Sequence, residues 1–168
     1  MSPSLAPADA VVALRSLPRR WRAVMGAVEA DEGSDPDDVA ARAGPDGRSA
    51  LEHLGHAART IALLDRALQQ VLSDDAPVLH PAATDAGARD WSDAPPRSVD
   101  DGLAELESAT GALAARVDAV AAGDWSRTGQ VTGGGQVGAL DLVRDAVETA
   151  VARLRSAEQT LTAVRGRP

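Results

Sequence analysis

The sequence predicts an all-α fold, a four-helix bundle with a long crossover between its second and third helices. Three observations carry this. Four long segments repeat apolar residues at three- and four-residue steps, the spacing of one helix face. Nowhere do apolar and polar residues alternate with period two for long enough to build a sheet. Finally, residues 74–97 are rich in Asp, Ala and Pro and are too long for a simple antiparallel turn.

The first helix is expected from about Pro7 to Glu29, with Val11, Leu14, Leu17, Trp21, Val24 and Val28 forming its stripe. Trp21 should be at least half buried. Pro18 lacks an amide hydrogen, so the helix should kink or restart there. Asp31 to Gly47 reads as a loop with at most one short turn around Asp38–Arg42. Ser49 and Glu52 form a capping box that starts the second helix, whose stripe of Leu51, Leu54, Ala58, Ile61, Leu68 and Leu72 runs to about Ser73. Ser98 with Asp101 starts the third, whose seam is Leu103, Leu106, Thr110, Leu113, Val117 and Val120, and Gly123 is expected to end it. The fourth runs from near Gly138 to about Val164 through Leu140, Val143, Val147, Val151, Leu154 and Leu161. A helix of about 24 residues is roughly 36 Å long, and an extended linker of that count reaches about 80 Å. The crossover can therefore span the bundle and leave helices two and three parallel. The chain reads as one domain, 1–168.

Composition narrows the chemistry. A chain of 168 residues with 44% hydrophobic content can bury a real core. That core must be aliphatic, because Phe and Tyr are absent and the only tryptophans are Trp21, Trp91 and Trp125. Without cysteine there are no disulfides, thiolate nucleophiles or Cys-based metal sites. Lys and Asn are also missing, the codon bias of a GC-rich bacterial genome. The net charge of -8 argues against nucleic acid, which needs a basic face. Arg15, Arg19, Arg20 and Arg22, and the pair Arg153/Arg155, read as solvated helix faces. With no signal-like start and no apolar run of about 18 residues, the expectation is a cytoplasmic protein without a membrane partner.

Chemistry would sit at the start of the second helix. At about 100° per residue Glu52 and His56 share a face, and His53 lies about 60° from His56. Periodicity puts His53 inside the apolar arc and His56 at its margin. One reading makes them a core histidine and a boundary residue. The other makes one of them a divalent-metal ligand, a common role for neutral imidazole. Two ligands rarely hold a metal, so a third must come from elsewhere.

Ser49-x-x-Glu52-x-x-x-His56 ahead of a long helix resembles the second helix of the DinB-like superfamily. Asp74 to Pro77 (Asp-Asp-x-Pro), Asp124-Trp125-Ser-Arg127-Thr-Gly129 and Val137 to Arg144 match further segments in the family's order. The resemblance runs from about Leu14 to Leu161. It implies a four-helix bundle with the same crossover. It also implies kinship with mycothiol- and bacillithiol-dependent transferases and the mycothiol-dependent maleylpyruvate isomerase. Those proteins hold a divalent metal with one ligand on helix two and two more, four residues apart, on the last helix.

Carried over, the helix-two ligand falls on His56 and the last-helix pair on Glu148 and Ala152. Glu148 can coordinate, Ala152 cannot, and Arg153 beside it would repel a cation. A second register uses Asp145 and Thr149, the latter a poor ligand. The triad is incomplete in either register. Asp141 then reads as a capping acid, and His80, in the crossover, as an outlying residue. The resemblance so implies a relative of metal-dependent thiol transferases with degenerate activity and no bound cofactor, or at most weakly held Zn or Ni. One alternative is a working mycothiol-linked transferase or isomerase using His56 and Glu148 on a small-molecule thiol. Another is a non-catalytic interaction bundle, with a homodimer as candidate assembly. No catalytic residue is assigned.

Other motifs are set aside. Gly133-Gly-Gly135-Gln-Val-Gly138 fits G-x-G-x-x-G but lacks the preceding buried strand of a dinucleotide fold, so it reads as a flexible turn with Gly138 near a helix start. Di-iron bundles need Glu-x-x-His pairs, and the last helix has no histidine. The serine-hydrolase motifs G-x-S-x-G and S-x-x-K are absent.

Overall fold

The computed structural model describes residues 5–27, 35–89, 91 and 94–165. Four long helices dominate: α1 (Pro7–Gly26), α3 (Ala50–Ser73), α5 (Val99–Ala119) and α6 (Ala139–Arg165). Two short ones lie between them, α2 (Pro36–Ala40) and α4 (Pro81–Thr84). Short 3-10 turns cover Ala86–Ala88 and Ala122–Ser126. The fold is the expected all-α bundle. To it the structure adds a two-stranded antiparallel ribbon, β1 (Thr128–Gln130) and β2 (Gln136–Gly138). Three residues per strand are too few for alternation to show in a sequence. The glycine-rich segment is the turn of this ribbon, where Gly133, Gly134 and Gly135 all take positive φ, a region that favours glycine.

Local signals explain most helix starts. Ser49 Oγ accepts from the Glu52 amide at 3.1 Å, and Glu52 accepts from the Ser49 amide at 2.7 Å, completing the capping box of α3. Ser98 caps α5 by accepting from the Asp101 amide. Its next amide, Val99, donates to Asp37 of α2 at 2.7 Å, a partner from a distant segment. The turn expected around Asp38–Arg42 is the helix α2, capped by Asp35.

Two expectations fail locally. Helix α1 runs on through Pro18 and does not restart there, its apolar face being buried along its length. Gly123 does not end α5, which closes at Val120 with extended dihedrals, and Gly123 falls in the following 3-10 turn. The predicted end of the first helix beyond Ala27 lies outside the described residues.

Helix α3 packs against α5 and α6, and α1 against the same two, so α1 and α3 sit on opposite corners. Contacts fix the directions. A Cβ on Gly102 of α5 would meet Leu54 of α3, and Arg116 of α5 bonds Asp65 of α3. Both numbers rise together, so α3 and α5 are parallel, as the long crossover requires. Arg15 with Asp118 and Arg22 with Glu107 show α1 antiparallel to α5. One apolar cluster fills the middle, including Leu14, Trp21, Leu54, Ile61, Leu106 and Leu142. No helix of the described residues is long and apolar enough to cross a membrane.

The matched sequence segments have structural roles. Arg127 donates to the Val71 carbonyl at 2.8 Å and the Asp74 carbonyl at 2.6 Å, satisfying acceptors at the end of α3. The crossover is tied to the ribbon, since Leu79 donates to the Gln130 carbonyl and Gln130 to that of Pro77.

Candidate binding site

The site lies where the first turns of α3, the crossover and the middle of α6 meet. Gly55 makes this approach feasible: a Cβ there would stand 2.7 Å from Pro96 Cδ. His53 and His56 are both buried, at 0% and 4% exposure. Neither ring nitrogen of either residue has a hydrogen-bond partner. Asp46 Oδ2 comes within 3.1 Å of His53 Nε2, an ion pair only when the ring is protonated. His53 is in the core, as the first of the two readings has it. His56 is fully inside as well, not at a boundary.

Trp91 from the crossover covers these rings. It stacks on His56 with centroids 3.8 Å apart and meets His53 edge-on at 5.7 Å. Arg48 and Arg153 lie over the indole at 3.8 and 5.0 Å. The Arg153 Nε is buried without a partner. Burial, followed by the charges of Arg153, Arg59, Arg89 and Arg48, pushes the His56 pKa down to about 4. Burial also lowers that of His53, with Asp46 opposing. Both imidazoles are neutral near pH 7.

Arg89 is a buried cation, at 6% exposure, whereas Arg153 is half-buried. Its guanidinium donates to the Ala82 carbonyl, to both carboxylate oxygens of Asp145 and to the Thr149 hydroxyl. Thr149 in turn donates to Asp145 at 3.0 Å. Asp145, Thr149 and Arg153, each four residues from the next, thus form the face of α6 turned to the site. This is the second of the two registers considered above, extended by one turn.

Glu148 and Ala152 are exposed, and Glu148 makes no ion pair with His56. Asp141 bonds the Gly138 amide and Arg144 at the start of α6, a capping role. His80 caps α4 by accepting from the Ala82 amide at 3.2 Å. Among the described residues, no three His, Asp or Glu side chains gather as metal ligands. A divalent metal does not fit this donor set, because guanidinium groups stand around the one imidazole that would bind it.

Arg89 and Trp91 are the site residues that sequence reasoning missed. Arg89 is one of seventeen arginines and has no local mark. Trp91 did carry a signal: a large aromatic in a polar, Pro-rich linker has reason to be there only if it packs on something.

No family model matches this chain, and no curated protein does. A solved structure, YfiT from Bacillus subtilis, aligns over 96% of this chain and 89% of its own, with a TM-score of 0.73 at 14% identity. It is described as a probable metal-dependent hydrolase with an unusual four-helix bundle topology. At that identity the likeness shows that the two share a fold.

Proposed function

We propose that this chain is a DinB-like bundle that has lost the family's metal triad and keeps a small-molecule pocket in its place. One observation carries the reading: α6 turns Asp145, Thr149 and Arg153 toward His56, with Arg89 bonded to the first two. The positive charge that a metal would bring is supplied by guanidinium groups, which accept no ligands and do not activate a thiol. The fold shared with YfiT is in keeping with a metal-dependent ancestry. A mycothiol-linked enzyme using His56 and Glu148 would need Glu148 to leave solvent and Arg153 to withdraw.

The test is calorimetric titration with Zn²⁺ and Ni²⁺ on protein purified without a His-tag. The wild type should give no binding heat at micromolar metal. The double variant Thr149→His/Arg153→His places two imidazoles four residues apart on the inner face and should gain affinity, each ligand being worth several kcal/mol as an order of magnitude. Ala152→His, on the exposed face, should gain none. Tight zinc binding by the wild type would overturn the reading.

A further inference from the structure

The parallel helices α3 and α5 leave an open groove of about 590 Å³ between them. Its floor is small and apolar, with Ala58 and Ala62 on α3 and Ala109 and Ala112 on α5. Arg66 stands on the α3 wall and Glu105 on the α5 wall, both exposed. Neither has an ion pair among the described residues, whereas Asp65 is held by Arg116 at 2.6 and 3.0 Å. Arg59, also on the groove, is engaged within its own chain. Distance keeps Arg66 and Glu105 apart. The Arg116–Asp65 bonds set Arg66 just past Arg116, about twelve residues or roughly 18 Å along the axis from Glu105. Midway between those two levels lies Gly111. Glycine inside a helix is destabilising relative to alanine, and a Cβ there would meet nothing within 4 Å. Nothing inside this chain requires that glycine, but a close approach from outside would.

We propose that this groove is a homodimer interface, on which a second copy of the chain lies face to face with its helices antiparallel to the first pair. A two-fold axis perpendicular to the helices at the level of Gly111 exchanges the two charged levels. Arg66 of each copy then meets Glu105 of the other, and one patch serves both subunits. Charges of opposite sign, unpaired in one chain and set evenly about a glycine, are complementary to themselves under that operation. Gly111 and the alanines let the helices come close. The inference is independent of the metal-free reading, since none of His56, Trp91 and Arg153 lines the groove.

Sedimentation velocity over a dilution series at low salt tests it. The wild type should sediment as a dimer and dissociate on dilution. Gly111→Arg puts a long charged side chain on the axis and should be monomeric throughout. The open space at that position leaves the monomer folded, which circular dichroism checks. Glu105→Arg turns both cross-pairs into like-charge contacts and should raise the dissociation constant by at least about tenfold. The double swap Glu105→Arg/Arg66→Glu restores opposite signs across the axis and should recover most of that loss. A wild type that stays monomeric up to about 100 μM overturns the proposal. So does a dimer that Gly111→Arg leaves intact, or a double swap no tighter than Glu105→Arg alone.

Discussion

The α1–α5 side of the bundle and the α3–α6 side around His56 are both buried, but they are buried with different chemistry. Around α1 the interior is Leu14, Leu17, Trp21 and Met25, all at 0–1% exposure, and the charges sit outside. Its ion pairs, Arg15–Asp118 and Arg22–Glu107, link side chains that are more than half exposed. Among the described residues, the Trp21 Nε1 is the one buried polar side-chain atom without a partner there. Around His56 the interior holds two imidazoles, a tryptophan stacked on one of them and the buried Arg89. Among the described residues, the buried nitrogens without a hydrogen-bond partner there are those of the two imidazoles and the Arg153 Nε, with Asp46 3.1 Å from His53 Nε2 as a charge contact. The first side is arranged for stability. The second tolerates desolvated polar groups, the pattern of a place where function is set against stability.

Three measurements sharpen or break that contrast. The largest effect is expected on the apolar side. Trp21→Ala should cost about 3–5 kcal/mol in denaturant unfolding, since the ring is fully enclosed and its loss leaves a cavity. A cost under about 1 kcal/mol would mean that the helices close around the gap and that this side is not the rigid one.

The next effect belongs to the site side. The His56 pKa is about 4 in the folded protein and about 6.5 unfolded, so the unfolded chain takes up the proton first. The stabilising contribution is whole above pH 6.5 and is lost as pH falls toward 4. By linkage the loss reaches on the order of 3 kcal/mol at most, with His53 adding in the same direction. His56→Gln should flatten the stability profile between these pH values. An unchanged slope in that variant would show that the ring titrates as a solvated one does.

The smallest effect returns to the outer surface of α1. Asp118→Ala removes the partner of Arg15, and both side chains are more than half exposed. The expected change in stability is below about 1 kcal/mol and weaker still in high salt. A larger loss would give that ion pair a role its exposure does not suggest.

Much of the fold is legible from residue order alone because its causes are local. The stripe through Leu14, Leu17 and Trp21 sets the buried face of α1, and Ser49 with Glu52 sets the first turn of α3. The length of residues 74–97 permits parallel α3 and α5. His53 and His56 are also visible as the place where chemistry would sit. What misleads is the exact register of α6. Glu148 and Ala152 lie next to Thr149 and Arg153 in sequence, and one residue turns a helix by about 100°. That single step separates an exposed carboxylate from a face bonded to Arg89.

The sequence by itself determined the helices, their caps and the aliphatic core, because each depends on residues within one or two turns of one another. Only the tertiary structure decided what surrounds His56. Arg89 and Trp91 reach it from a crossover more than thirty residues away, and Asp145 and Thr149 receive Arg89 from a separate helix. No local pattern marks such partners: which side chains converge is fixed by where α3, α6 and the crossover pack, and burial then sets the charge state of the imidazole they enclose.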